Sequence, residues 1–105
     1  MSDKIFNEIG QKLTVQFGTT VGQMFGKPCL KINNKAFSAF FKREMVFKLG
    51  EYEVNRLKGK YLGSVNWDPS ERKRPMKDWL QVPTEFSDHW VKLSKQALEY
   101  VKENK

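Results

Sequence analysis

Residues 21–49, VGQMFGKPCLKINNKAFSAFFKREMVFKL, decide the fold. Short β-prone runs alternate here with turn signals. The reading gives four strands, over residues 21–25, 29–32, 35–41 and 45–49. Gly26-Lys27-Pro28 breaks the first from the second, because proline has no N–H for a ladder. Asn33-Asn34 is a two-residue turn signal, since asparagine tolerates positive φ. Lys42-Arg43-Glu44 reads as a polar turn. Met45, Phe47 and Leu49 fall on one face of the fourth strand, with Val46 and Lys48 on the other. Connections this short favour antiparallel pairing.

Outward from the meander the period changes. Over residues 3–17, Ile5, Ile9, Leu13 and Phe17 recur every four residues beside Phe6, which predicts an amphipathic helix with Gly18 as its C-terminal cap. After Gly50, residues 51–58 read as a short helix with Val54 and Leu57 inward and acids in its first turn. Residues 60–73 are irregular and rich in turn formers, among them Gly63, Asn66, Asp68-Pro69 and Ser70. Residues 76–82 read as a last strand, with Met76, Leu80 and Val82 on one face, Trp79 on the other and Asp78 a misfit. Thr84 or Ser87 is the candidate N-cap of a final helix whose stripe is Phe86, Trp90, Leu93, Ala97 and Val101, fraying into Glu103-Asn104-Lys105. The expectation is an α+β fold: an antiparallel β-sheet meander with an N-terminal helix, a short middle helix and a long C-terminal helix packed on it.

The 105 residues make one domain, large enough for its own core, with no linker, repeat or low-complexity tract. Hydrophobic residues are 39% and charged residues 30%, so the chain belongs with folded proteins. No signal peptide or apolar span long enough for a membrane is visible. The single cysteine, Cys29, cannot form an internal disulfide, which suits a reducing compartment, and the expected location is the cytoplasm.

Enzyme chemistry finds little support. Cys29 and His89 lack the companions a metal site needs. His89 adjoins Asp88, but sequence neighbours on a helix point to different faces, and Glu85 is the only other acid near it. Cys29 has no base that would make it a nucleophile. Gly18, Gly22 and Gly26 do not open a helix in the manner of a phosphate loop. Glu51 and Glu53 sit near Arg56, which reads as surface ion pairing. No catalytic residue and no cofactor are therefore expected, and the reading is a non-catalytic binding or regulatory module.

The formal net charge is +7, and polyanions are its natural partners. Arg56, Lys58, Lys60, Arg72, Lys73, Arg74 and Lys77 crowd one stretch, with Tyr61 and Trp67 among them. Cations hold phosphate and rings take bases, so these nine residues form the candidate nucleic-acid site. Lys27, Lys31, Lys35, Lys42 and Arg43 make a second basic set on the meander, and the site becomes a patch if both sets share a face. Two other partners fit the sequence: a protein or second copy taken at an unpaired strand edge, and a small molecule in a groove lined by Trp67-Asp68-Pro69 and Trp79.

Met24-Phe25-Gly26, Ile32-Asn33-Asn34-Lys35 with Ala36-Phe37, and Val46-Phe47-Lys48-Leu49 resemble the N-terminal domain of the TfoX/Sxy proteins. Met76-Lys77-Asp78-Trp79-Leu80, followed by Trp90, Leu93, Ala97 and Leu98, resembles both that domain and YjbR/MmcQ-like domains. The resemblance covers about residues 20–101. Where a second glycine usually follows Met-Phe-Gly, this chain has Lys27-Pro28-Cys29, which is closer to the YjbR side. The resemblance implies the α+β fold and a likeness to DNA-binding folds. It supplies no catalytic residues.

Overall fold

A computed structural model describes residues 2–103. The chain runs α1 (Ser2–Phe17), β1 (Thr20–Met24), β2 (Lys27–Ile32), β3 (Lys35–Phe41), β4 (Glu44–Lys48), α2 (Glu51–Lys58), β5 (Val65–Asn66), β6 (Trp79–Val82), a 3-10 segment (Thr84–His89) and α3 (Trp90–Glu103). The six strands form one sheet in the order β1-β2-β3-β4-β6-β5, antiparallel throughout. The fold is α+β.

Three two-residue hairpins build the meander. Phe25-Gly26, Asn33-Asn34 and Lys42-Arg43 all have positive φ at both positions, the backbone whose twist matches that of paired strands. The first and third correct the expected boundaries. Lys27-Pro28 is no breaker but the start of β2: Pro28 pairs with Gln23, one step from the hairpin's closing pair Met24–Lys27. That closing pair is hydrogen-bonded, so the next is not, and the missing N–H of Pro28 costs nothing there. Glu44 belongs to β4, where Gln81 donates to its carboxylate at 2.7 Å.

The sheet buries side chains on both faces. On the first, Leu30, Ile32, Phe37, Met45, Phe47, Leu80 and Val82 pack with Phe6, Ile9 and Leu13 of α1, Val54 and Leu57 of α2, and Trp90, Leu93, Ala97, Leu98 and Val101 of α3. On the second, Cys29, Ala39, Phe41 and Val46 pack with Trp67 and Trp79, flanked by Met24, Ala36 and Met76. A bulge opposite Leu30 and Lys31 gives β3 one extra residue: Lys31 pairs with Ala36 and Leu30 with Ser38, so Phe37 is inserted between them and the register of Ala39 with Cys29 follows.

Other boundaries differ from the expectation for identifiable reasons. Met76, Lys77 and Asp78 precede β6 rather than open it; the Asp78 carbonyl accepts the N–H groups of Leu49 and Gly50 at 3.0 and 3.2 Å. Met76 accordingly sits with Trp79, not with Leu80 and Val82. β5 is too short to show a period. Neither Thr84 nor Ser87 caps α3: Pro83 leads into the 3-10 segment, and the Thr84 hydroxyl donates to the Arg43 carbonyl at 2.6 Å. Phe17 is 40% exposed; a four-residue step overshoots a helical turn by about 40°, so three steps from Ile5 carry it off the stripe. Asn104 and Lys105 lie outside the described residues.

Candidate nucleic-acid interface

Between β5 and β6 the chain makes a closed loop over the second face of the sheet. The Trp67 N–H donates to the Trp79 carbonyl at 3.1 Å, and the Met76 N–H to the Trp67 carbonyl at 2.9 Å. Within that closure Asp68 organises the backbone. Its Oδ1 accepts from the Ser70 hydroxyl at 2.6 Å and from the Ser70 and Glu71 N–H groups, each at 3.1 Å. Its Oδ2 accepts from the Arg74 N–H at 2.9 Å. The Ser70 hydroxyl oxygen in turn accepts the Arg72 N–H at 3.2 Å. These donors, the Ser70 hydroxyl first among them, hold the Asp68 carboxyl below the usual carboxylate range. They also hold Glu71 and Lys73 at φ of 57° and 61°, which L residues adopt only at a cost.

The loop presents Arg72, Lys73 and Arg74 to solvent. Among the described residues none of these three side chains has an acidic partner. Arg72 and Arg74 line one shallow cleft with Ser70, of about 480 Å³. Lys73 lines another, of about 520 Å³, with Lys58, Asn66 and Asp68. The Lys58 ammonium donates to the Asn66 amide oxygen at 2.7 Å, and the amide nitrogen donates to the Met76 and Lys77 carbonyls at 3.0 and 3.2 Å. The end of α2 is thereby tied to the base of the loop.

Part of the meander's basic set reaches the same face. Phe41 joins the two. Its ring lies 5.8 Å from that of Trp67, while the Lys27 and Lys42 ammonium groups stand 5.4 and 5.6 Å from its centre. Lys42 is also paired with Glu71 of the loop. Lys31 lies two residues beyond Cys29, on that face, and its stem crosses Gly22. Lys35, opposite Ile32, has the other parity. Lys48 reaches Asp78 at 3.8 Å.

Three residues of the candidate set stand apart from the loop cations. Arg56 makes a bidentate contact to Glu53, at 2.7 and 2.9 Å, so its charge is already matched. Arg56 and then Gln96 hold the Glu53 carboxyl down to about 2. Lys60 lies over the Tyr61 ring at 5.5 Å. Lys77 is exposed beyond the loop's closure.

Tyr61 and Trp67 do not offer stacking surfaces. Tyr61 is 2% exposed and Trp67 fully buried. Tyr61 packs against Phe86 and lies 3.2 Å from His89 Nδ1 through its hydroxyl. Trp67 is wedged between Phe25, Phe41 and Trp79. Burying a large aromatic ring contributes more than any single exposed contact would, and the core claims both rings. The Trp67–Trp79 centroid distance of 5.0 Å also leaves no groove between them for a small molecule. The exposed ring on this face is Phe25, 63% accessible and edge-on to Trp67. Sequence reasoning passed over it because it reads as part of a strand rather than a turn.

Cys29 and His89 serve opposite faces of the sheet. Burial pushes the Cys29 thiol up, away from the reactive thiolate. Among the described residues, no group of three or more His, Cys, Asp or Glu side chains is placed to hold a metal ion, and no helix is long and apolar enough to cross a membrane. No protein-family model matches the chain, and no curated protein matches it.

Proposed function

We propose that the chain binds nucleic acid through phosphate contacts made by Arg72, Lys73 and Arg74, with Lys58, Lys27 and Lys31 extending the surface. One observation carries this reading: three adjacent cations, unmatched by acids among the described residues, are held on a loop whose backbone Asp68 has already ordered. A preordered loop loses little conformational freedom on binding. Tyr61 and Trp67 have no part in it. Phe25 takes over the stacking role, at the edge of the same surface. Such contacts carry no sequence information, so binding is tolerant of sequence and governed by salt.

The likeness to TfoX N-terminal and YjbR-like domains belongs to the same proposal. Its support is that the quoted residues fall at hairpin turns (Phe25-Gly26, Asn33-Asn34) and in the core (Phe37, Phe47, Leu80, Trp90, Leu93, Leu98). A family defined at such positions shares a fold rather than a catalytic reaction.

Fluorescence anisotropy with labelled single- and double-stranded oligonucleotides tests the proposal, titrated from about 50 to about 200 mM salt. Arg72→Glu with Arg74→Glu should lower affinity at least tenfold and flatten the log–log salt dependence by about two. Phe25→Ala should weaken single-stranded binding more than duplex binding. No binding at low salt, or a doubly reversed protein that binds as tightly as the parent, overturns the reading.

A further inference from the structure

Between Arg56 and Lys77 the chain carries two acids, Asp68 and Glu71. The Asp68 carboxylate is taken up by the loop's own donors. Glu71 is placed differently. Its backbone is fixed: the N–H donates to the Asp68 carbonyl at 3.2 Å and to Asp68 Oδ1 at 3.1 Å, and its φ is 57°. Its side chain leaves the loop and meets the ammonium of Lys42, 29 residues away in the β3–β4 hairpin. Among the described residues Lys42 is the one partner this carboxylate has.

Lys42 stands where a polyanion on the loop would pass. Its ammonium lies 5.6 Å from the centre of the Phe41 ring, which Lys27 shares at 5.4 Å, and Phe41 meets Trp67 at the start of the loop. The contact with the ring holds the Lys42 stem on this face whether or not Glu71 is beside it. The ion pair itself is easily parted. Both side chains are more than half exposed, and an exposed pair joined by a single contact contributes little. The Glu53–Arg56 pair shows the contrast: both guanidinium contacts and a third from Gln96 hold that carboxylate.

We propose that Glu71 stands in for phosphate. It occupies Lys42 in the free protein and yields it to a phosphate group of the bound strand, so that Lys42 joins the cations of the site only on binding. This rests on the reading that Arg72, Lys73 and Arg74 bind nucleic acid, and adds to it an internal competitor that regulates the same surface. Carboxylate and phosphate are both oxyanions, and either satisfies an ammonium. Because Glu71 is tethered, a free anion meets a competitor at a local concentration of about millimolar or more. A phosphate on a strand already held by Arg72, the next residue along, is tethered too, and the exchange becomes even. Once released, the Glu71 carboxylate gathers a cation from solution, which offsets one of those the strand gives up.

Anisotropy with a labelled single-stranded oligonucleotide tests this on the parent, Glu71→Gln, Lys42→Asn and the double variant. Glutamine keeps the shape of Glu71, and asparagine suits the φ of 51° at Lys42; Lys42→Gln makes the same test should Lys42→Asn misfold by circular dichroism. At about 50 mM salt Glu71→Gln should bind about two- to fivefold tighter than the parent, and its log–log salt dependence should be steeper by about one. Both gains should vanish when Lys42 is also replaced. A parent that binds and a Glu71→Gln variant that binds no tighter overturn this proposal and leave the reading of Arg72, Lys73 and Arg74 standing. A gain that survives the loss of Lys42 is a general effect of charge and overturns it as well. A parent that binds nothing at low salt overturns both.

Discussion

The carboxylate of Asp68 accepts the backbone N–H of Arg74 at 2.9 Å across six residues of chain. One acidic side chain thus shapes the loop that exposes three cations. Asp68→Ala removes the acceptor for four donors at once. Amide exchange at Ser70, Glu71 and Arg74 should then rise to that of an unstructured segment. Nucleic-acid affinity should fall several-fold although no cation is lost. Asp68→Asn keeps an acceptor oxygen and should recover part of both effects. NMR exchange and anisotropy on the same samples separate loop order from charge.

Gly50 stands where only glycine fits. Its φ and ψ of 89° and 151° belong to a region closed to other residues, and a Cβ there would meet Tyr100 Cε1 at 2.8 Å. Gly50→Ala should cost about 3 kcal/mol, lowering the melting temperature by about 12–24 °C. A thermal melt by circular dichroism reads this directly. A loss under 5 °C, on the same scale of about 4–8 °C per kcal/mol, would mean that the chain can pass from β4 into α2 by another path.

Glu53 should make stability depend on acid. Its carboxyl sits at about 2 rather than 4.5 because Arg56, then Gln96, donate to it. A depressed carboxylate contributes stability that is present above its unfolded value and lost as pH falls through its folded one. The contribution should be full at pH 7 and fade between about 4.5 and 2. The pair is partly solvated, so about 0.5–1 kcal/mol is expected. Glu53→Gln should therefore melt lower than the parent at neutral pH and together with it in strong acid.

Ser94 lies on the buried face of α3 with no hydrogen-bond partner for its hydroxyl among the described residues. A buried, unpaired hydroxyl is costly, and alanine is the better helix former. Ser94→Ala should raise stability by about 1 kcal/mol, about 4–8 °C in melting temperature. A destabilised variant would show that an internal water serves the hydroxyl.

What the sequence discloses here follows the range of the forces involved. Strand β3 and helix α2 are legible to the residue, because alternation, helical period and adjacent turn residues act locally. Lys27-Pro28 misleads, since whether a proline is tolerated depends on which pairs of a ladder are bonded, and that is set across strands. The irregular segment is legible as irregular; Asp68-Pro69-Ser70 even carries the signature of an Asx turn. Its closure through Trp67, Met76 and Trp79 is tertiary and leaves no local mark. The cations of the candidate site are readable from composition. The fate of Tyr61 and Trp67 is not, because an aromatic between lysines looks the same whether it faces solvent or core.

The hairpin turns have a consequence for the order in which the molecule assembles. Strands β1 to β4 meet through loops of two residues each, while β6 reaches β4 only after the chain from Leu49 to Asp78 has been laid down. Contacts close in sequence form early, and those that close long loops form late. The meander should therefore be the early-folding unit, and the docking of β6, which draws Asp68 and its neighbours over the sheet, a late event. Pulse-labelled hydrogen exchange during refolding should protect the amides of β2 and β3 before those of Trp67 and Met76. The surface proposed to hold phosphate is then completed last, and a chain caught partly folded carries the positive charge without the scaffold that aims it.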